Sequence, residues 1–337
     1  MPIGPDGFDD GGDASFWDEV EAELGKLDEA RQDRLLYGNS FTKDGERVAP
    51  ENVVEVVAMT ALTQKGTSGT VLTEMDKLLA GDHPEKGLRL LRDTGALGHL
   101  FPEIAPIVGY DQMSVYHDLT LDEHTFRVVQ EVARQGGSPD ARWAALLHDL
   151  GKPEVAFIRD EENPKRRFYA APENDMTSHE DAGVEIARGL LNRINMPDAR
   201  KRRILTLISE HMLREADKPT PVKARRLRAR ITDDATLADL FVHRRADMRS
   251  KGEDDDPIPT PEIDKLEELV AQAAQEGAPR TLADLRINGS DIVALGAQGP
   301  QVGAVLDDLL REVINQPNVN RHDWLLTRAA KILRAGS

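Results

Sequence analysis

The chain has no cysteine. That excludes disulfides, thiolate metal sites and cysteine nucleophiles, so any metal must be held by histidine, aspartate and glutamate. Also missing are an apolar run long enough for a membrane span and the basic-then-apolar start of a secretory signal. A cytoplasmic location with no membrane partner is the expectation. Alternation of apolar and polar residues is almost absent, so the chain reads as all-α. Basic residues are in deficit: 43 Lys and Arg face 60 Asp and Glu, a formal charge of −17. Phosphate contacts dominate duplex affinity, so this balance argues against a general DNA or RNA duplex binder. A nucleotide or a short RNA end stays open as substrate if cations neutralise the site.

What is present fits a soluble globular protein: 337 residues, 39% hydrophobic and 31% charged, enough for one large domain or two to three small ones. Residues 1 to about 14 are rich in Gly, Asp and Pro and read as a disordered leader. Phe16–Leu36 has the spacing of an amphipathic helix. Helices resume at Pro50, with a polar break expected at Lys65–Thr70. They continue through Leu72–Leu79, Pro84–Thr94, Gly95–Ile107 and Tyr116–Ala133. A loop over Phe157–Asp175 has room for a hairpin around Arg166–Ala170. Helices follow at Glu180–Ile194, Asp198–Leu213 and around Leu237–Asp247. The acidic, proline-bearing Glu253–Pro261 is the linker candidate, and Pro261–Glu276, Gln301–Ile314 and Arg321–Leu333 close the chain. The basic stretches Lys165–Arg167, Arg200–Arg203 and Lys223–Arg230 read as solvated helix faces or loops.

Chemistry centres on Ala144–Lys152, Ala-Ala-Leu-Leu-His-Asp-Leu-Gly-Lys. Ser138 and Pro139 supply an N-cap and a first-turn proline, Trp143–Leu147 an apolar run, and Gly151 a C-terminal stop. His148 and Asp149 then lie at the buried end of a helix, where a lone carboxylate is costly. One resolution is a bound cation. The other is a histidine bonded to a neighbouring carbonyl and an aspartate paired with an arginine. Further candidates share inward positions. His124 shares a stripe with Val128 and Val132. His179 follows the Ser178/Asp181 capping pattern, His211 follows Ile204, Leu207 and Ile208, and Asp247 follows Leu237, Leu240 and Arg244. Four histidines and two aspartates exceed what one catalytic metal with open positions needs, so two divalent metal ions sharing Asp149 are expected. Mn2+, Ni2+, Co2+, Fe2+, Zn2+ and Mg2+ all suit such ligands.

In order and spacing, His124, His148-Asp149 and Asp247 resemble the H…HD…D signature of the HD phosphohydrolase superfamily, and His179 and His211 resemble the added ligands of its two-metal members. Asp82–Ile104, Ser178–Gly183, Arg245-Ala246-Asp247 and Ile287–Gly303 are similar to the body and HD region of bacterial CCA-adding tRNA nucleotidyltransferases. The likeness runs over roughly residues 45–335. Residues 1–50 lack the Gly-Gly-x-x-Arg-Asp stretch of that family's nucleotidyltransferase head, so nucleotide addition by this chain alone is not expected. The resemblance implies an HD-domain helical bundle with N-terminal and C-terminal helical extensions. Its segments would be a leader and amphipathic helix at 1–44, a neck-like domain at 45–120, the HD domain at 121–252, and a linker with C-terminal helices at 253–337. His124, His148, Asp149 and Asp247 would hold the first metal, and Asp149, His179 and His211 the second. Lys152 would neutralise a substrate phosphate oxygen or sit as an ordinary surface lysine. Arg127 and Arg244 would contact phosphate or pair with a ligand carboxylate. The implied activity is a metal-dependent phosphodiesterase or phosphatase acting on nucleotides or on RNA 2′,3′-cyclic phosphate or 2′-phosphate ends. The alternatives are an RNA-binding body subunit working with a separately encoded nucleotidyltransferase head, and an HD (deoxy)nucleotide phosphatase or triphosphohydrolase.

Overall fold

The computed structural model describes residues 68–113, 119–158, 167–169, 178–251 and 258–335. The leader, the Phe16–Leu36 helix, the helix from Pro50, most of Lys165–Arg167 and most of the Glu253–Pro261 linker lie outside the described residues. The rest is all-α apart from one two-residue hairpin. Helices α1 (Ser68–Ala80), α2 (Pro84–Asp93), α3 (Ala96–Leu100), α4 (Leu121–Arg134), α5 (Pro139–Leu147) and α6 (Lys152–Val155) come first. Strands β1 (Phe157–Ile158) and β2 (Arg167–Phe168) follow, then α7 (His179–Arg193) and α8 (Asp198–Glu210). The strands pair antiparallel, Phe157 opposite Phe168, where the loop was expected to turn back. Next come α9 (Pro221–Arg230), α10 (Asp234–Arg249), α11 (Pro261–Gln275), α12 (Gly289–Ala294), α13 (Pro300–Asn315) and α14 (His322–Ala335). Among the described residues no helix is long and apolar enough to cross a membrane.

The described residues divide into two compact units, one drawn from residues 68–211 and 249–251, the other from residues 212–248 and 258–335. In the first, α5 packs against α4 and α8, and α7 packs against α8. Trp143, Phe101 and Phe126 fill the core, Phe101 meeting the Trp143 ring edge-on at 6.2 Å. Trp143 also donates from Nε1 to Asp76 Oδ1 at 2.7 Å. The same carboxylate receives two bonds from Arg200, whose Nε reaches Asp140 Oδ1 at 2.7 Å. Asp76 on α1, Asp140 and Trp143 on α5, and Arg200 on α8 thus lock three helices together. In the second unit a core around Ile292, Leu309, Val313 and Leu325 holds α12, α13 and α14.

Three local expectations change. Ser68, Gly69 and Thr70 already belong to α1, since small polar residues suit a helix start as well as a break. Asn288-Gly289-Ser290 is no loop but the N-cap and first turn of α12, closed by a capping box with Asp291. The basic stretch Lys223–Arg230 forms most of α9, begun by Thr220, whose hydroxyl accepts from Lys223 N–H, and by Pro221. Its arginines are internal fasteners: Arg225 donates to the carbonyls of Ile314 and Asn315 at the end of α13 at 2.7 and 2.8 Å, and Arg226 bonds the Asn315 side chain.

Helix α2 is tied to the start of α4 by charge. Arg92 Nη1 lies 2.8 Å from Asp122 Oδ2 and also bonds Glu123, which Arg89 reaches at 3.1 Å. Burial is the largest single influence on both carboxyls and pushes them up. Arg92, aided by Thr120 and the Gly109 N–H at Asp122 and by Arg89 at Glu123, holds both below the usual range. Folded values below unfolded ones contribute stability that is complete above the unfolded range of about 3.9–4.3 and is lost as pH falls through the folded values. Arg92→Met should lower stability at neutral pH and flatten its loss below about pH 4. Denaturant unfolding at a series of pH values measures this, and an unchanged acid slope would contradict the assignment.

Candidate metal centre

Three helix ends in the first unit place a histidine at the centre, each for a local reason. Helix α5 starts at Ser138, whose hydroxyl accepts from Ala141 N–H, and ends with His148 as C-cap. Helix α8 likewise ends with His211 as C-cap. The last turn of a helix leaves carbonyls without intrahelical donors. His148 Nδ1 satisfies Ala145 O at 2.8 Å, and His211 Nδ1 satisfies Ile208 O at 2.7 Å. Helix α7 starts at Ser178, which accepts from Asp181 N–H and donates to Asp181 Oδ2 at 2.8 Å. The acid of the expected capping box therefore returns to the hydroxyl and not to the backbone. His179 is the first residue of α7, with Nδ1 2.9 Å from Tyr169 O and 3.1 Å from Glu180 Oε2.

A carbonyl oxygen only accepts, so Nδ1 carries the proton in all three rings and Nε2 of the neutral ring presents a lone pair. Those lone pairs converge. His179 Nε2 and His211 Nε2 stand 3.3 Å apart, and His148 Nε2 stands 3.0 Å from Asp149 Oδ2. His124, fully buried on α4, places Nε2 3.8 Å from the same Oδ2. The other carboxylate oxygen, Oδ1, lies 3.7 Å from His179 Nε2 and 3.8 Å from His211 Nε2. Two ligand sets result, His124–His148–Asp149 and Asp149–His179–His211, with the candidate atoms of each within 4.8 Å of one another. Asp149 is 2% exposed. Burial, the largest influence, pushes its carboxyl up. His148 and His179 in their protonated form, with the Lys152 ammonium, outweigh burial and hold it well below the usual carboxylate range. Donors facing one another across so small a space repel unless a cation lies among them. The set fits a metal, and the negative ends of α5 and α8 at His148 and His211 add to that fit.

Five of the six expected ligands are thus gathered. Asp149 is paired not with an arginine but with Lys152, whose buried Nζ lies 2.6 Å from Oδ2. Lys152 is therefore no surface lysine. The sixth residue, Asp247, belongs to neither set. It is buried in the second unit, where Arg244 Nη1 bonds its Oδ2 at 2.7 Å. Arg127 is half-buried, one turn past His124. Sequence reasoning passed over Gln112, Tyr169 and Glu180. Of these only Glu180, next to His179, was signalled by position.

Gly151 also serves otherwise than expected. Its φ of −77° is ordinary right-handed backbone and α5 has already ended. What requires glycine is space: a Cβ there would lie 2.2 Å from His179 O and 2.6 Å from Gly183 N. The turn after the His-Asp pair is pressed against the first turn of α7.

The HD-domain family model matches residues 121–240, a span that takes in His124, His148, Asp149, His179 and His211 and stops short of Asp247. Ahead of that span, residues 57–108 match the model described as "Probable RNA and SrmB- binding site of polymerase A". Curated relatives are multifunctional CCA proteins. That of Methylococcus capsulatus is 33% identical over 257 residues, 74% of this chain and 57% of the relative. Those of Acinetobacter baumannii (strain AYE) and Alkalilimnicola ehrlichii are each 31% identical, over 50% and 48% of this chain and 38% and 37% of their own lengths. The chain spans about half or less of the length of these relatives.

Two outcomes test the centre. Wild-type protein should melt at a higher temperature with Mn2+ than with a chelator, and Asp149→Asn should abolish that rise, read by thermal unfolding. Gly151→Ala should cost about 2 kcal/mol or more through backbone displacement. Gly183→Ala, whose Cβ meets nothing closer than 3.4 Å, should be near neutral. Equal effects of the two glycine substitutions would refute the close-approach account.

Proposed function

We propose that the HD domain is a metal-dependent phosphohydrolase, a phosphodiesterase or phosphatase acting on nucleotides or on RNA 2′,3′-cyclic phosphate or 2′-phosphate ends. One observation carries this reading: a buried carboxylate turns one oxygen to His124 and His148 and the other to His179 and His211. With this division Asp149 would serve both ligand sets, and His124 and His148 on one side and His179 and His211 on the other would hold divalent ions with it. When bound, ions of this kind supply Lewis acidity and an activated water for in-line displacement at phosphorus. The chain's own part is to hold the ligands still. Ala145, Ile208 and Tyr169 carbonyls fix three imidazoles in one tautomer, and burial excludes bulk water from Asp149. Asp247 enters the ligand set through the order of the H…HD…D signature. Lys152, Arg127 and Arg244 are the cationic groups assigned to substrate phosphate. Residues 45–120 and 253–337 would flank the HD domain (121–252) as a neck-like body and a C-terminal helical segment.

A second reading has its own support. The match over residues 57–108 and the CCA-protein relatives favour an RNA-holding body that works with a separate nucleotidyltransferase head. RNA binding that survives loss of the metal ligands and falls steeply with salt would mark that role. The charge of −17 weighs against it.

Purified protein should release phosphate, or open the cyclic ester, from at least one member of a panel. The panel comprises 2′,3′-cyclic, 2′-, 3′- and 5′-nucleoside monophosphates and deoxynucleoside triphosphates, each with Mn2+, Ni2+, Co2+ or Mg2+. Asp149→Ala should lower that rate by more than about a hundredfold, because both ligand sets lose their shared member. Undiminished turnover in this variant would remove the assigned site from the reaction.

A further inference from the structure

We infer that Lys152 is a resident cation for one half of the centre, so that the two ligand sets take up divalent ions unequally, Asp149–His179–His211 first. This rests on the metal-dependent reading of the HD domain and adds an order of loading to it.

Among the residues gathered around Asp149, the two halves differ in their counter-charge. On the Oδ1 side the neighbours are His179 and His211 Nε2, at 3.7 and 3.8 Å, and among the described residues no lysine or arginine is bonded there. On the Oδ2 side the ammonium of Lys152 already sits at 2.6 Å. It is held in place from behind. Nζ donates to Gln112 Oε1 at 3.0 Å, and Gln112 is fully buried. The Tyr169 ring lies 5.5 Å from Nζ, and the Tyr169 hydroxyl donates to the Gln112 carbonyl at 2.5 Å. A glutamine acceptor, an aromatic face and a carboxylate make a binding place for a cation. Lys152 reaches it because the turn after Asp149 brings Lys152 N within 3.0 Å of Asp149 O.

Metal–carboxylate bonds run at about 2.0–2.2 Å. An ion on Oδ2 would share that oxygen with an ammonium 2.6 Å away, and the two like charges repel at that range. Binding there is opposed by Nζ and weakens a buried ion pair that is tied to Gln112. An ion on Oδ1 does not share its oxygen with Nζ. Until an ion arrives, Lys152 balances the buried Asp149 charge. Once that pair is weakened, its ammonium is freed beside the centre, where a phosphate oxygen of the substrate would sit.

The test is calorimetric titration of the full chain with Mn2+, paired with thermal unfolding in chelator. Wild type should show a tight event and one weaker by about tenfold or more. Lys152→Met should tighten the weaker event by about tenfold and leave the tight one nearly unchanged. It should also lower the chelator melting temperature, because Asp149 loses its counter-charge. Gln112→Leu keeps the ammonium and removes its tether. It should shift the weaker event the same way by less, and it decides the matter if Lys152→Met does not fold. If wild type takes up a single ion, gain of a second in Lys152→Met supports the inference. Unchanged or weakened uptake in both variants overturns it while leaving the metal reading intact. Wild type that binds no Mn2+ overturns both.

Discussion

The arrangement of the first unit turns on one buried charge. Asp149 is removed from water, and a carboxylate in that position is tolerated only where cations or donors meet it. Around it the chain has placed four imidazoles and one ammonium, three of the rings turned so that lone pairs face inward. Neighbouring features follow from having to hold those groups at close quarters: helices that stop at a histidine, a glycine where no side chain fits, and a lysine pinned by a buried glutamine.

Helices α5 and α8 show how this is done. Arg200 near the start of α8 bonds Asp140 near the start of α5, and Asp76 accepts from both Arg200 and Trp143 of α5. At the other end the His148 and His211 rings lie 5.2 Å apart. The two helices therefore run side by side in the same direction, fastened at their beginnings and presenting histidines at their ends. Parallel helices place their negative ends together, which by itself is unfavourable and is relieved by positive charge at that point. The same geometry that would weaken an ordinary helix pair makes a site for cations.

Much of this was legible because histidines on apolar stripes are rare and periodicity tells which way they face. His124 with Val128 and Val132, and His211 with Ile204, Leu207 and Ile208, were read correctly as inward. The Ser138–Pro139 start of α5 was equally plain. Other features were hidden for identifiable reasons. Gly151 looked like a helix stop because glycine commonly is one, and only the approach of α7 reveals the steric demand. Gln112 lies forty residues from Lys152, beyond the reach of any local pattern. Helix α9 was obscured by its own composition: half of its residues are basic and draw attention to charge, although Thr220 and Pro221 signal an N-terminus.

Those basic residues also bear on what the protein can bind. Arg92, Arg200, Arg225 and Arg280 are each spent on internal partners, Arg280 alone bonding the carbonyls of Arg228 and Ile231 and the Asp234 carboxylate. A guanidinium fixed between two elements has few donors left for a phosphodiester backbone, and the chain as a whole repels one. On the phosphohydrolase reading proposed above, attraction for a substrate phosphate would then come from cations gathered around Asp149, and affinity would follow the occupancy of those ligand sets more closely than net charge.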